Sequence, residues 1–133
     1  MIEHKLDTNE IETTLYDLLK TEYTGTIYCG NRPTIIEEKD AEFMVIQVAN
    51  GGKNITANHR VISSKKVCSI QIWTRDIGNG MKNMQLESAI RTLIFTLIPA
   101  VAGNYKFTYM NDVGSRDLLG FHGKYINLNC YII

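Results

Sequence analysis

The stretch from Lys65 to Pro99 constrains the fold most. Cys68, Ile70 and Ile72 fall on one side of an extended segment, and Val67, Ser69, Gln71 and Trp73 on the other. Period two then gives way to period 3.6. After a Gly/Asn-rich break over residues 76–83, Met84, Leu86, Ile90, Leu93, Ile94 and Leu97 form one apolar stripe, widened by Phe95 and Ile98. The pattern predicts a strand, a flexible turn and a helix over about 83–98, with Pro99 at its end. Such a broad apolar face is suited to lying across a sheet.

The flanking segments extend this frame. Ile11, Leu15, Leu18 and Leu19 share a helical face over about 9–22, with Asn9/Glu12 or Asp7/Glu10 as capping pair. A short strand follows over 26–29, then a turn signal at 30–33, where Pro33 restricts any strand to an edge. A weak extended piece is expected at 34–37. Residues 43–49 read as a strand whose near-continuous apolar run implies cover on both faces. The Asn/Gly-rich segment 50–59 reads as a long connection. The strand before the main helix begins near residue 60 and is firm from 67. After the helix, 105–110 alternate as a strand, 111–120 read as a turn region and 121–133 as the closing strand. There Ile126, Leu128, Cys130 and Ile132 oppose Tyr125, Asn127, Asn129 and Tyr131. The predicted fold class is α+β, with one domain over 1–133. Its core is an antiparallel sheet of about five strands with two helices packed on one face.

Composition narrows the function classes. At 133 residues the chain suits one domain with a single core. Fourteen basic and fourteen acidic residues cancel, so there is no general pull towards nucleic acid and little repulsion between copies. Cys29, Cys68 and Cys130 are far apart, odd in number and outside any CxxC pair, which reads as small buried hydrophobes in a reducing compartment. The start of the chain lacks an apolar signal core, and no apolar run reaches the roughly 18 residues of a membrane span.

Catalytic groups do not cluster along the chain. His4, His59 and His122 form no HxH or HxxxH pair, so no metal site is expected. The acidic run 37–42 reads as a solvated turn. Gly51-Gly52-Lys53 lacks the first Gly and the Ser/Thr of a phosphate loop. Ser63 and Ser115 have no partner pattern. The expectation is no enzyme, no cofactor and no metal. Trp73 reads as a core aromatic or as an interface anchor, since tryptophan and arginine concentrate at binding hot spots. Arg75-Asp76 and Arg116-Asp117 each lie just past strand positions and read as turn charges or as ion pairs at a subunit rim.

The order of elements, with Thr26-Ile27-Tyr28 to Pro33, Phe43-Met44-Val45-Ile46, Ile70-Gln71-Ile72-Trp73-Thr74-Arg75 and Gly120-Phe121-His122-Gly123-Lys124-Tyr125-Ile126-Asn127-Leu128, resembles the tail-completion or tail-terminator proteins of long-tailed bacteriophages and their head–tail-joining relatives. The resemblance runs through nearly the whole chain, and its motifs are soft. It implies a homo-oligomeric ring, often a hexamer, that terminates the tail tube or joins it to the head. Its partners would be tail-tube or head-connector proteins, with no membrane and no sequence-specific nucleic acid. The place of action would be the virion, assembled in the bacterial cytoplasm, for a phage or a prophage. No catalytic residue carries over. Ring contacts are head-to-tail and need two different surfaces. The candidates are Trp73, Arg75, Asp76, Arg116, Asp117, Tyr125 and Tyr131, with Lys53, Asn54 and His59 in a loop, residues 50–59, that is a candidate for ordering on assembly against a neighbour or towards the lumen. Two alternatives stand beside this reading. One is a protein-binding adaptor that uses an exposed sheet edge. The other is a small ligand-binding domain or enzyme in which His122, Asp112 and Asp117 converge.

Overall fold

Among the described residues, seven strands hydrogen-bond into one sheet, with β4 and β7 at its centre. The computed structural model describes residues 8–30, 41–49, 53–57, 60–118 and 120–133. The elements are α1 (Thr8–Lys20), β1 (Ile27–Cys29), β2 (Glu42–Val48), β3 (Lys53–Ala57), β4 (Arg60–Arg75), α2 (Met84–Leu97), β5 (Ala100–Ala102), β6 (Tyr105–Leu118) and β7 (Phe121–Ile132). The path across the sheet is β1-β2-β4-β7-β6-β5, with β3 paired to β4 outside that path.

The architecture is α+β, and the sheet is mixed. Strand β1 runs parallel to β2, Ile27 opposite Met44, whereas all the other pairs are antiparallel. The expectation of an antiparallel sheet of about five strands is corrected: the sheet is mixed and larger. Three elements of the sheet depart from the sequence reading, each defined by its pairing. Segment 53–57, read as loop from its Asn/Gly-rich surroundings, is β3. It holds the β-branched pair Ile55-Thr56, and β4 supplies a paired backbone that composition does not reveal. Residues 111–118, read as turn, continue β6. Register shifts between Tyr109 and Asn111 and between Val113 and Arg116 absorb the polar and glycine residues without ending the ladder. The three-residue β5, unmarked by any periodicity, pairs with the start of β6. The extended piece expected at 34–37, most of the acidic run and the turn at 31–33 lie outside the described residues.

The alternation read in β4 is what divides the core. Cys68, Ile70 and Ile72 join Met44, Ile46, Ile126, Leu128 and Cys130 in one buried cluster. Ile11, Leu15 and Leu19 of α1 and Ile90 and Ile94 of α2 enter the same cluster. Phe43, Val45, Trp73 and Phe121 form a second cluster. Strand β2 therefore buries both of its faces, in keeping with its near-continuous apolar run. Helix α2 starts where Asn83 Oδ1 accepts from Leu86 N at 3.2 Å. Asn83→Ala is expected to cost about 1 kcal/mol through loss of this cap, measured as a lower urea midpoint with unchanged slope.

Candidate functional site

One end of the central ladder brings a histidine and two carboxylates together. The β6–β7 register places Asp117 opposite His122, and the β4–β7 register places Thr74 opposite His122 from the other side. Asp76, two residues beyond Thr74, follows immediately on β4. As a result the His122 ring lies between two carboxylates. Its Nε2 is 2.6 Å from Asp76 Oδ1, and its Nδ1 is 2.6 Å from Asp117 Oδ1. His122 is 7% exposed, while the Asp117 side chain remains open to solvent.

Only an imidazolium has an N–H on both ring nitrogens, so both short contacts are donated bonds only in the charged form. The contacts with Asp76 and then Asp117 raise the His122 pKa above the ordinary imidazole value. The bond from His122 lowers the Asp76 pKa, helped by the amides of Gly78 and Gly80. Because both ring nitrogens are engaged, neither is free to take a proton from a substrate. The carboxylates sit on opposite sides of the ring, so the three groups do not converge on one point. Among the described residues no group of three or more His, Cys, Asp or Glu is placed to hold a metal ion.

The arrangement does fix a loop. Asp76 Oδ2 accepts from Gly78 N at 3.0 Å and Gly80 N at 3.3 Å, and Ile77 N donates to Met81 O at 3.0 Å. Gly78, Asn79 and Gly80 all have positive φ, at 124°, 54° and 76°, values that glycine and asparagine tolerate best. The tight loop displays Ile77 and Met81, 59% and 61% exposed, and Met84 at the start of α2 is 71% exposed. Solvated apolar side chains on a backbone held this firmly are the main feature of this end of the molecule.

Beside the loop is the second cluster. Phe43 stacks on Trp73 with ring centroids 6.1 Å apart, and Phe121 meets Phe43 edge-on at 5.3 Å. Arg75 lies 4.7 Å over the Phe121 ring. Trp73 Nε1 donates to Gln71 Oε1 at 3.0 Å, and Gln71 Nε2 donates to Gln47 Oε1 at 2.7 Å.

The residues singled out from sequence are thus distributed unevenly. Trp73 is 1% exposed, and its ring contacts Phe43 and Tyr125. Asp76 and Asp117, each read as half of a charge pair at a rim, face one another across His122. Arg116 is exposed, and Tyr125 and Tyr131 are half-buried. Lys53 and Asn54 lie on β3, opposite Lys65 and Ser64. His59 lies outside the described residues. Asp112 does not join His122. It pairs with Arg91 of α2 at 3.1 Å and accepts from Tyr109 Oη at 2.8 Å. The turn reading of 111–120 hid the hairpin register that pairs Asp117 with His122. The Asp-x-Gly-x-Gly spacing at 76–80 was the available signal for the Asp76 turn.

A separate cavity of about 530 Å³ opens near the start of α1, lined by residues that include Thr8, Glu12, Gly30, Gln47 and Ser69, and not by His122, Asp112 or Asp117. No helix among the described residues is long and apolar enough to cross a membrane. Known protein-family models do not match this chain, and neither do curated proteins at a significant level.

Proposed function

We propose that the chain is a structural component of a phage or prophage tail, one copy of a ring that terminates the tail tube or joins it to the head. In this reading it performs no catalytic step, acts within the virion, and has tail-tube or head-connector proteins as partners. The carrying observation is the placement of exposed apolar side chains. Ile77, Met81 and Met84 occupy one end of the β4–β7 ladder, whereas Val101 and Ile133, 62% and 64% exposed, belong to the other. A head-to-tail ring needs two such unlike surfaces on each copy. The two helices cover one face of the sheet, a placement supported by their shared core cluster, and that leaves the ends and edges for neighbours.

An adaptor reading draws on a different observation. Strand β5 pairs only with Tyr105, Lys106 and Phe107, so among the described strands none lies along the outer side of β6 beyond Phe107. Sedimentation velocity and native mass measurement separate the two. A closed oligomer of defined stoichiometry that binds tail-tube protein is expected. A strict monomer at high concentration, with no affinity for tail-tube protein, would overturn the ring.

A further inference from the structure

The loop fixed by Asp76 contains two residues that can react with each other. Asn79 is followed by Gly80, and both are exposed. A backbone nitrogen can attack the side-chain carbonyl of the residue before it, and glycine at the attacking position has no Cβ to obstruct the approach. Water for the hydrolysis that follows is at hand in an exposed turn. The sequence holds a second such pair, Asn50-Gly51, outside the described residues.

The bonds of the turn restrain this reaction. Gly80 N, the nucleophile, donates to Asp76 Oδ2 at 3.3 Å, and the same oxygen accepts from Gly78 N at 3.0 Å. Met81 N donates to Gly78 O at 2.9 Å on the far side of the reacting pair. The Asn79–Gly80 peptide is anchored on both sides and cannot turn towards the Asn79 side chain while these bonds persist. An amide nitrogen attacks only after losing its proton, and a carboxylate beside it opposes the negative charge that would form. His122 steadies that carboxylate through its other oxygen, with Nε2 2.6 Å from Asp76 Oδ1.

We propose that Asn79–Gly80 is an intramolecular deamidation site gated by the Asp76 bonds, and that its conversion releases the loop that carries Ile77 and Met81. When the turn opens, Gly80 N gives up its proton and bonds to Asn79 Cγ. The bond from Cγ to the side-chain nitrogen breaks, and that nitrogen leaves as ammonia. Water then cleaves one or other C–N bond of the cyclic imide. Cleavage at Cγ leaves aspartate in the ordinary chain. Cleavage at the main-chain carbonyl leaves isoaspartate, with the chain running through Cβ and Cγ. The net change is an amide and water giving a carboxylate and ammonium, with no oxidant or reductant. Either product adds a carboxylate to a loop whose amides already converge on one. The iso product also inserts a backbone carbon between Ile77 and Met81. That insertion moves Gly80 N away from Asp76 and works against the 3.0 Å bond from Ile77 N to Met81 O. This chemistry is independent of whether copies assemble.

The full chain is incubated at neutral pH in buffer and, separately, in urea that unfolds it. Digestion after Arg75 and Lys82 releases peptide 76–82, in which fragmentation assigns the amide-to-acid mass gain to Asn79 and retention separates aspartyl from isoaspartyl forms. The bond that must open for attack also protects the Gly80 amide from exchange, so both rates report one opening. Deamidation of Asn79 is expected to be slower in the native chain by about tenfold or more, and that factor to match the exchange protection of Gly80 within about threefold. Asp76→Ala, with folding verified by circular dichroism, is expected to bring the native rate within about threefold of the unfolded one. The wild-type comparison needs no substitution, so it stands whether or not that variant folds. The purified isoaspartyl chain should lose exchange protection at Gly78 and keep it in β4 and β7. Equal rates in native and unfolded wild type would overturn the gate, as would a native rate far below the one Gly80 exchange allows. An isoaspartyl chain with unchanged protection at Gly78 would overturn the release.

Discussion

Trp73→Ala is expected to destabilise the fold by about 3–5 kcal/mol, the range for truncating a large aromatic in a packed interior. The size follows from the surroundings of the ring. Trp73 is 1% exposed, stacked on Phe43 and met edge-on by Tyr125. Its indole N–H also satisfies Gln71, itself only 5% exposed, so truncation leaves a buried amide oxygen without its donor. The space for the ring is provided by Gly123, directly opposite in the β4–β7 register. A Cβ at position 123 would lie 2.8 Å from Trp73 Cη2 and Cζ3 and 3.0 Å from Cε3. That ring is rigid and has neighbours on both sides, so it cannot yield as the tip of a lysine would. Gly123→Ala is expected to cost about 1–3 kcal/mol through overpacking. In Trp73→Phe the same glycine substitution should cost much less, because the clashing ring is gone. Chemical denaturation of the four chains of this cycle gives the coupling. Additive losses would show that Gly123 is not there for the indole.

The contact between Trp73 and Gly123 also shows where sequence reasoning stops. Period-two alternation in 67–74 assigned Trp73 to the face opposite Cys68, Ile70 and Ile72, and the structure has it there. The switch to a 3.6 period gave α2 to within a residue or so at each end, because turn composition and apolar stripe agree at that boundary. What alternation cannot supply is register. The identity of the residue across from Trp73 depends on the ladder, and the ladder on bulges in β6 that look like turn sequence. The same gap concealed the site. Asp117 and His122 are five residues apart, but with 111–120 read as turn nothing in the sequence places them in one hairpin. Asp76 is 46 residues from His122, and only the β4–β7 pairing joins them. Asp112 is an equal candidate on composition, yet in the fold it pairs with Arg91. Local physics was legible, and the long-range pairing that turns strands into a site was not.

The contribution of His122 to stability is expected to be greatest at mildly acidic pH and to fade as the solution becomes basic. Its folded pKa is raised by Asp76 and Asp117, so the stabilisation is fully present below the unfolded value of roughly 6.5 and is lost as pH climbs through the folded value. Asp76 works in the opposite sense. Its folded pKa is lowered, so its contribution holds above the ordinary carboxylate value and disappears as pH falls through the depressed one. The window of strongest closure therefore lies between the two titrations. Above it, a neutral imidazole keeps one N–H, and one carboxylate then faces a ring lone pair. His122→Gln should flatten the dependence of the urea midpoint on pH above the ordinary imidazole value, where the wild type loses this contribution. Asp76→Asn should disturb the loop more than Asp117→Asn, because Asp76 also holds the amides of Gly78 and Gly80 and its side chain is 23% exposed against 72%. Amide exchange at Gly78 and Gly80 reads the loop directly. Protection that falls with rising pH in the wild type, beyond the intrinsic exchange rate, and stays level in His122→Gln is the expected result. Equal pH profiles in the two chains would mean that the Gly-Asn-Gly turn holds Ile77 and Met81 in place without the imidazolium.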